Sequence, residues 1–188
     1  MMTDMMYKDI QTGIGIRPLT PLDAEELCNM MTVSREHHAP FEPIRGDLFY
    51  TPTEQLNRII DRQKQAEHDQ GYYFGVFELQ TNQLVGHVSL SNVSRGVAQY
   101  ADMGYFTHAS HMGKGYMSAA VKLVLHYAFY ELHLHRVQAS ILVHNVASRR
   151  VLEKNGFQAE GIARQYLLIS GKWQDHQIYA AIHPEWKD

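Results

Sequence analysis

A run of β-forming residues from Val97 to Thr107 passes through His108-Ala109-Ser110-His111-Met112-Gly113-Lys114-Gly115 into a helical pattern, with Met117, Val121, Val124, Leu125, Ala128 and Leu132 on one stripe. A strand that enters a glycine-bracketed loop and leaves as a long helix aims free backbone N–H groups and the positive end of the helix dipole at one point. Glycines let the backbone approach an anion closely, and Lys114 can add charge. The pattern is not a P-loop, which would need Gly at 108 and Ser or Thr at 115, where His108 and Gly115 stand. Nor is it a dinucleotide fingerprint, which would need a third glycine at Ser118 and a parallel sheet around it. A tight turn without a ligand remains an alternative on these residues alone.

The flanking chain sets the fold class. Ile14, Ile16 and Leu19 read as a first strand, and Thr20-Pro21-Leu22-Asp23 is a helix start leading to a helix from Asp23 to Thr32. The same grammar recurs at Thr51-Pro52-Thr53-Glu54, which predicts a second, half-exposed helix to Gln70. Between them His37 to Gly46 is too rich in proline for regular structure; it is either a surface connection or a substrate-facing loop. Tyr72–Leu79, Leu84–Val93 and Val97–Thr107 form an antiparallel meander across Thr81-Asn82 and Ser94-Arg95-Gly96. The long helix runs from Gly115 to Leu132, a strand follows at Arg136–Val143, and Val146–Asn155 is a short helix closed by Gly156. Phe157–Ile169 and Trp173–Ile182 pair across Ser170-Gly171-Lys172 as a terminal hairpin. The order predicts an α/β (α+β) protein: one mixed, mostly antiparallel sheet flanked by helices, with a C-terminal β-hairpin.

The 188 residues, 45% apolar and 20% charged, suit one domain over residues 13–188, preceded by a loose tail over residues 1–12. The net charge of -3 gives no reason for direct nucleic-acid binding and favours basic partners mildly. Cys28 is the only cysteine, which excludes an internal disulfide and fits a reducing compartment, and its place on an apolar helix face reads as core. No segment has the length of a membrane span, and the first twelve residues lack the apolar run of a secretory signal, so a cytoplasmic location is expected. His133 and His135 have no third partner in pattern, so no metal is expected.

The strand, Met112-Gly113-Lys114-Gly115-Tyr116-Met117 and the helix resemble the acetyl-CoA-binding motif of the GNAT superfamily of N-acetyltransferases, and the element order fits that fold from Ile14 to Ile182. The family often has Gln or Arg at the place of Met112, and Gly or Ala at that of Met117. Phe41-Glu42-Pro43-Ile44-Arg45, Tyr73-Phe74-Gly75-Val76-Phe77, Ser91 to Gly96 and Tyr166 to His176 resemble the Rim-type enzymes, and among them the RimJ type, which acetylates an N-terminal alanine of a ribosomal protein. The resemblance implies that backbone groups of Tyr105, Phe106 and Thr107 pair with the pantetheine arm, that Gly113 to Ser118 hold the pyrophosphate with Met112 also at the cofactor, and that Asn145 contacts the cofactor with Ser148 near its sulfur. Phe41, Glu42, Arg45 and Tyr166 would shape the acceptor site.

Attack of an amine on a thioester needs a neutral amine, a polarised carbonyl and a proton for the thiolate. Deprotonating an N-terminal amine of pKa about 8 costs about 1 kcal/mol at pH 7, against about 4 to 5 for lysine. A modest base therefore suffices, and Asp102 and Glu42 are the candidates. Asp102 stands where some GNAT enzymes carry a water-linked carboxylate; the alternative is a sheet residue paired to a neighbour. Many superfamily members place a tyrosine acid at the position of Leu152, and some Rim-type relatives a glutamate at that of Gln165, so the thiolate's proton is assigned to Ser148. Without the family, Asn145 and Ser148 read as an ordinary cap and first-turn residue. The expected acceptor is the terminal alanine or serine of a ribosomal protein; a small amine, or a CoA-binding module without turnover, are the alternatives. Monomer and homodimer both fit.

Overall fold

The computed structural model describes residues 7–186. Eight strands form one sheet: β1 (Tyr7–Asp9), β2 (Ile14–Pro18), β3 (Tyr72–Glu78), β4 (Leu84–Ser94), β5 (Tyr100–Thr107), β6 (Arg136–Leu142), β7 (Gln158–Ile169) and β8 (Lys172–Ile182), in the order β1-β2-β3-β4-β5-β6-β8-β7. The helices are α1 (Ala24–Val33), the single turn α2 (Arg35–His38), α3 (Pro52–Glu67), α4 (Tyr116–His126) and α5 (Val146–Lys154). Every neighbouring pair is antiparallel except β5 with β6, which are joined by the crossover through α4. The mixed, mostly antiparallel sheet and the terminal hairpin are as the sequence predicts.

The two faces of the sheet are covered by different helices because alternate strand residues point to opposite sides. Ala120, Val121 and Val124 of α4 pack on Ile14, Ile16, Val76, Val88 and Met103. Gly86 lets α4 come this close: a Cβ there would lie 2.6 Å from the Phe106 carbonyl oxygen and 2.9 Å from Met117 Cε. On the opposite face Leu27 and Met30 of α1 and Ile59 of α3 pack on Leu19, Phe77, Leu84 and Phe106. The turn into α1 is fixed as its sequence implies. The Asp23 carboxylate accepts from the Thr20 N–H at 2.7 Å and takes both Arg17 Nη donors at 2.7 and 2.8 Å.

The structure corrects several boundaries. Residues 7–12 do not belong to a loose tail, because Tyr7–Asp9 pair with Ile14–Ile16 as an edge strand; residues 1–6, the rest of the expected tail, lie outside the described residues. The second helix ends at Glu67, and Asp69, at φ 55°, turns the chain towards β3. The third strand of the meander begins at Tyr100, not Val97. The long helix keeps its length, but its last turn, Tyr127–Glu131, is a π-helical one. The proline-rich stretch from His37 to Gly46 takes in the end of α2 and a 3-10 turn at Ala39–Phe41, so it is not wholly irregular.

Candidate active site

The sheet opens along its one parallel seam. β5 and β6 pair only through Tyr100↔Arg136, Ala101↔Val137 and Asp102↔Gln138, and beyond these residues they form no pair. The ladder parity between β4 and β5 then decides which groups of β5 face the opening. His108 N–H donates to Val85 O at 2.8 Å, and with Phe106 opposite His87 the alternation turns the amide and carbonyl of Phe106 towards β4. Those of Met103 and Tyr105 face the gap, as does the Thr107 amide. The Thr107 carbonyl accepts from His38 Nε2 at 2.8 Å. This corrects the expectation for Phe106, whose backbone is committed to β4 and whose ring stacks on His87 and His38 in the interior.

At the end of β5 the chain turns through a 3-10 segment, Ala109–His111, and the glycine loop into α4. Gly113 and Gly115 have φ of 75° and 80°, a region costly for other residues, and no atom lies within 4 Å of a Cβ at either position. Gly115 is the N-cap of α4 and supplies no side-chain acceptor. The amides of Tyr116, Met117 and Ser118 therefore start the helix without intrahelical partners. Met117 places its side chain in the core, so only its amide faces the loop. Met112 and Lys114 are exposed, and Lys114 Nζ lies 5.6 Å from the Tyr116 ring centroid. The Tyr116 hydroxyl donates to Glu78 Oε1 at 2.7 Å. Residues 113–118 thus present an open, left-handed loop and a free helix start, an arrangement that holds an anion through backbone N–H groups.

Across the gap, β6 leads into α5. Asn145 caps this helix, its Oδ1 accepting from the Ser148 amide at 3.0 Å. Ser148 Oγ lies 2.6 Å from the Tyr105 hydroxyl, which is also 3.2 Å from the Ser148 carbonyl oxygen. Burial pushes the Tyr105 phenol up to about 12, although the bond with Ser148 pulls it down. Leu152 is fully buried between α5 and α4 and does no chemistry. The Tyr105 hydroxyl is a functional candidate that sequence reasoning missed. Its partner is 43 residues away in the chain, and only the crossover brings them together.

The face of the sheet under α1 and α3 carries the remaining candidates. Asp102 is half-buried on β5, and its Oδ2 accepts from Asn92 Nδ2 at 2.9 Å. The charge of Asp102 raises the Tyr100 phenol, with burial and Tyr166 contributing. Gln165 sits at a bulge of β7 with φ 46°, its amide held by Asp175 at 2.8 Å, and the Tyr166 ring packs edge-on at 5.8 Å from His176. The loop after α1 closes the other side. Phe41 lies 6.0 Å from His144, the Glu42 carbonyl accepts from Ser170 N–H at 3.0 Å, and the Glu42 carboxylate is 3.6 Å from Arg45 Nη2. Desolvation raises the Glu42 carboxyl, outweighing the opposite pull of Arg45. Glu42 and Arg45 line a cavity of about 160 Å³ with Met31, His38, Phe49 and Phe106. Gly104, in the middle of the fifth of eight strands, is nevertheless exposed, so the sheet is uncovered there.

A family model described as an acetyltransferase (GNAT) domain matches residues 14–158. A "Probable N-acetyltransferase YjcK" of Bacillus subtilis is 45% identical over 92% of this chain and 95% of its own length. Among solved structures, a ribosomal-protein-S5-alanine acetyltransferase from Vibrio fischeri superposes with a TM-score of 0.92 at 31% identity, covering 98% of this chain and 100% of that one. A Mycobacterium smegmatis RimJ in complex with CoA-disulfide gives 0.87 at 28% identity, covering 93% of this chain and 86% of that one.

Proposed function

The chain belongs to the GNAT acetyltransferases, and from that premise we propose that it moves the acetyl group of acetyl-CoA to the N-terminal amine of an alanine- or serine-led protein chain, a ribosomal protein first of all. The observation that carries the acceptor reading is the exposed Gly104 at the centre of the sheet. A small amine would call for an enclosed pocket, whereas an open trough receives the end of a chain. A full-length likeness to an enzyme named for ribosomal protein S5 alanine supports the same choice. A ribosomal acceptor implies work in the cytoplasm.

The residues present fit acetyl-CoA. The amides of Gly113 to Ser118, with open space at both glycines, suit a pyrophosphate, and the unpaired Tyr105 backbone in the seam suits a strand-like arm. Acetyl-CoA supplies an activated acetyl thioester. The acceptor nitrogen forms the new C–N bond as the C–S bond breaks, and the proton it sheds passes to Asp102 through water. Ser148 gives its hydroxyl proton to the departing sulfur and is reprotonated through water by the proton taken up at Asp102, so that CoA leaves as its thiol. The Tyr105 hydroxyl, 2.6 Å from Ser148 Oγ, fixes the serine hydroxyl beside the seam. Glu42, Phe41 and Tyr166 border the acceptor.

Incubation with acetyl-CoA and peptides bearing free N-terminal Ala or Ser should add one acetyl group at the terminus, read by intact mass and fragmentation. Acetylation confined to lysine side chains would overturn the reading.

A further inference from the structure

Three arginines stand on the acceptor side of the sheet without the partners that buried arginines normally have. Arg58 and Arg62 are four residues apart on α3 and so share a face, and Arg45 comes from the loop opposite. All three are half-buried. Arg45 and Arg58 lie over the Phe49 ring at 4.8 and 5.0 Å, and Arg62 over the Tyr73 ring at 4.7 Å. Among the described residues none of the three donates a hydrogen bond. The Nε atoms of Arg45 and Arg58 are buried and unpaired, and only Arg45 has a carboxylate within 4 Å, that of Glu42 at 3.6 Å. Burial, followed by the charge of Arg58, pushes Arg62 down to about 10, against a weaker pull from Tyr73. Burial and the two helix arginines hold His87 down at about 3, so it adds no charge at neutral pH. Grouping like charges out of water with their donors unused is costly unless an anion completes the site.

The cluster is also connected to the place where the amine must sit. Tyr73 pairs with Ser89, and Ser89 with Gly104, so the three residues form one cross-strand row on this face. Ser89 and Gly104 are small, and the row leads from the Arg62–Tyr73 stack to the β5 seam. Two strand spacings are about 10 Å, which about three residues of extended chain cover. We infer that Arg45, Arg58 and Arg62 form an anion subsite for the acceptor, taking a carboxylate carried two to four residues behind the amine that is acetylated. This rests on the proposed reading of the acceptor as a chain terminus, and it names the chemistry that terminus carries: a locally acidic one, although the whole chain is itself acidic.

The test uses alanine-led peptides of one sequence with Glu, Gln or Lys placed at positions two to four. With the parent protein, kcat/KM should fall in the order Glu, Gln, Lys, with Glu ahead of Gln by about tenfold or more. In Arg58→Gln/Arg62→Gln the Glu-to-Gln ratio should collapse towards one, and Arg62→Lys should retain part of it; a rise in melting temperature with acetyl-CoA, read on the same samples, reports that each variant is folded. Equal use of the Glu and Gln peptides by the parent overturns the subsite and leaves the proposed function standing. If no peptide is acetylated the proposed function falls, and the subsite is judged by calorimetry on the CoA complex with free glutamate and glutamine. Glutamate binding that Arg62→Gln removes sustains it, and equal binding of the two overturns it.

Discussion

The two strand-to-helix junctions that flank the open seam are built on opposite principles. At the junction of β5 with α4 the N-cap is Gly115, with no side-chain acceptor, and the first amides of the helix have no partner. At the junction of β6 with α5 the N-cap is Asn145, which bonds the Ser148 amide and satisfies the helix from within. One junction therefore offers backbone donors, and the other offers side chains held in place. A diphosphate needs many weak, fixed donors, whereas proton transfer needs one hydroxyl at one position. In the proposed function the difference divides the labour: α4 would hold the donor molecule, and α5 would present the hydroxyl that acts on it.

The most damaging change to this division is a carboxylate at the first junction. Gly115→Glu places a negative charge where the anion belongs and forces a φ of 80° on a residue with a Cβ. Acetyl-CoA affinity should fall by about 100-fold or more, measured by calorimetry, and Gly115→Ala, which has only the backbone strain, should lose about tenfold. Equal affinities of parent and Gly115→Glu would remove the loop from the donor site. At the second junction Ser148→Ala should lower kcat by about 10- to 100-fold, as expected for loss of a general acid with water as substitute. Acetyl-CoA affinity should change far less. Parallel losses in both would make Ser148 a binding residue.

Both junctions were legible in the sequence because each is a run of consecutive residues: Met112 to Ser118, and Asn145 to Ser148. The succession of elements along the chain followed from the same local patterns, whereas the order of strands in the sheet, and hence the seam, came from the structure. What the sequence concealed is what the sheet assembles from distant segments. The pairing of Tyr105 with Ser148 and the grouping of Arg45 with Arg58 and Arg62 depend on the register of β5 and on how the loop after α1 lies against α3. Phe106 was misjudged for a related reason: strand periodicity says that alternate backbone groups face alternate neighbours, but not which neighbour each one takes. The short edge strand Tyr7–Asp9 has three residues, too few for a periodic signal.

Tyr105 sharpens the second junction further. Tyr105→Phe removes the hydroxyl 2.6 Å from Ser148 Oγ but leaves the ring in place. The loss should be about three- to tenfold in kcat, in keeping with one hydrogen bond of about 1 kcal/mol. A phenol raised to about 12 stays protonated through neutral and mildly alkaline pH, so the loss should be the same at pH 7 and pH 9.5. A ratio of parent to variant rates that changes with pH over that span would mean that the phenol titrates there, and would contradict a role as the neutral hydrogen-bond partner of Ser148.

The smallest expected effect tests whether the first junction works by backbone alone. Lys114 is the one cation inside the glycine loop and the obvious residue to credit with holding a phosphate. Its side chain is nevertheless exposed, and its Nζ lies 5.6 Å from the Tyr116 ring centroid. A solvated, salt-screened charge contributes little beside five or six fixed amides. Lys114→Ala should therefore weaken acetyl-CoA by only about two- to threefold in low salt, and the difference should shrink at about 0.5 M salt as screening increases. A loss from Lys114→Ala that rivals that of Gly115→Glu would reverse the comparison, making the first junction, like the second, a site built from a side chain.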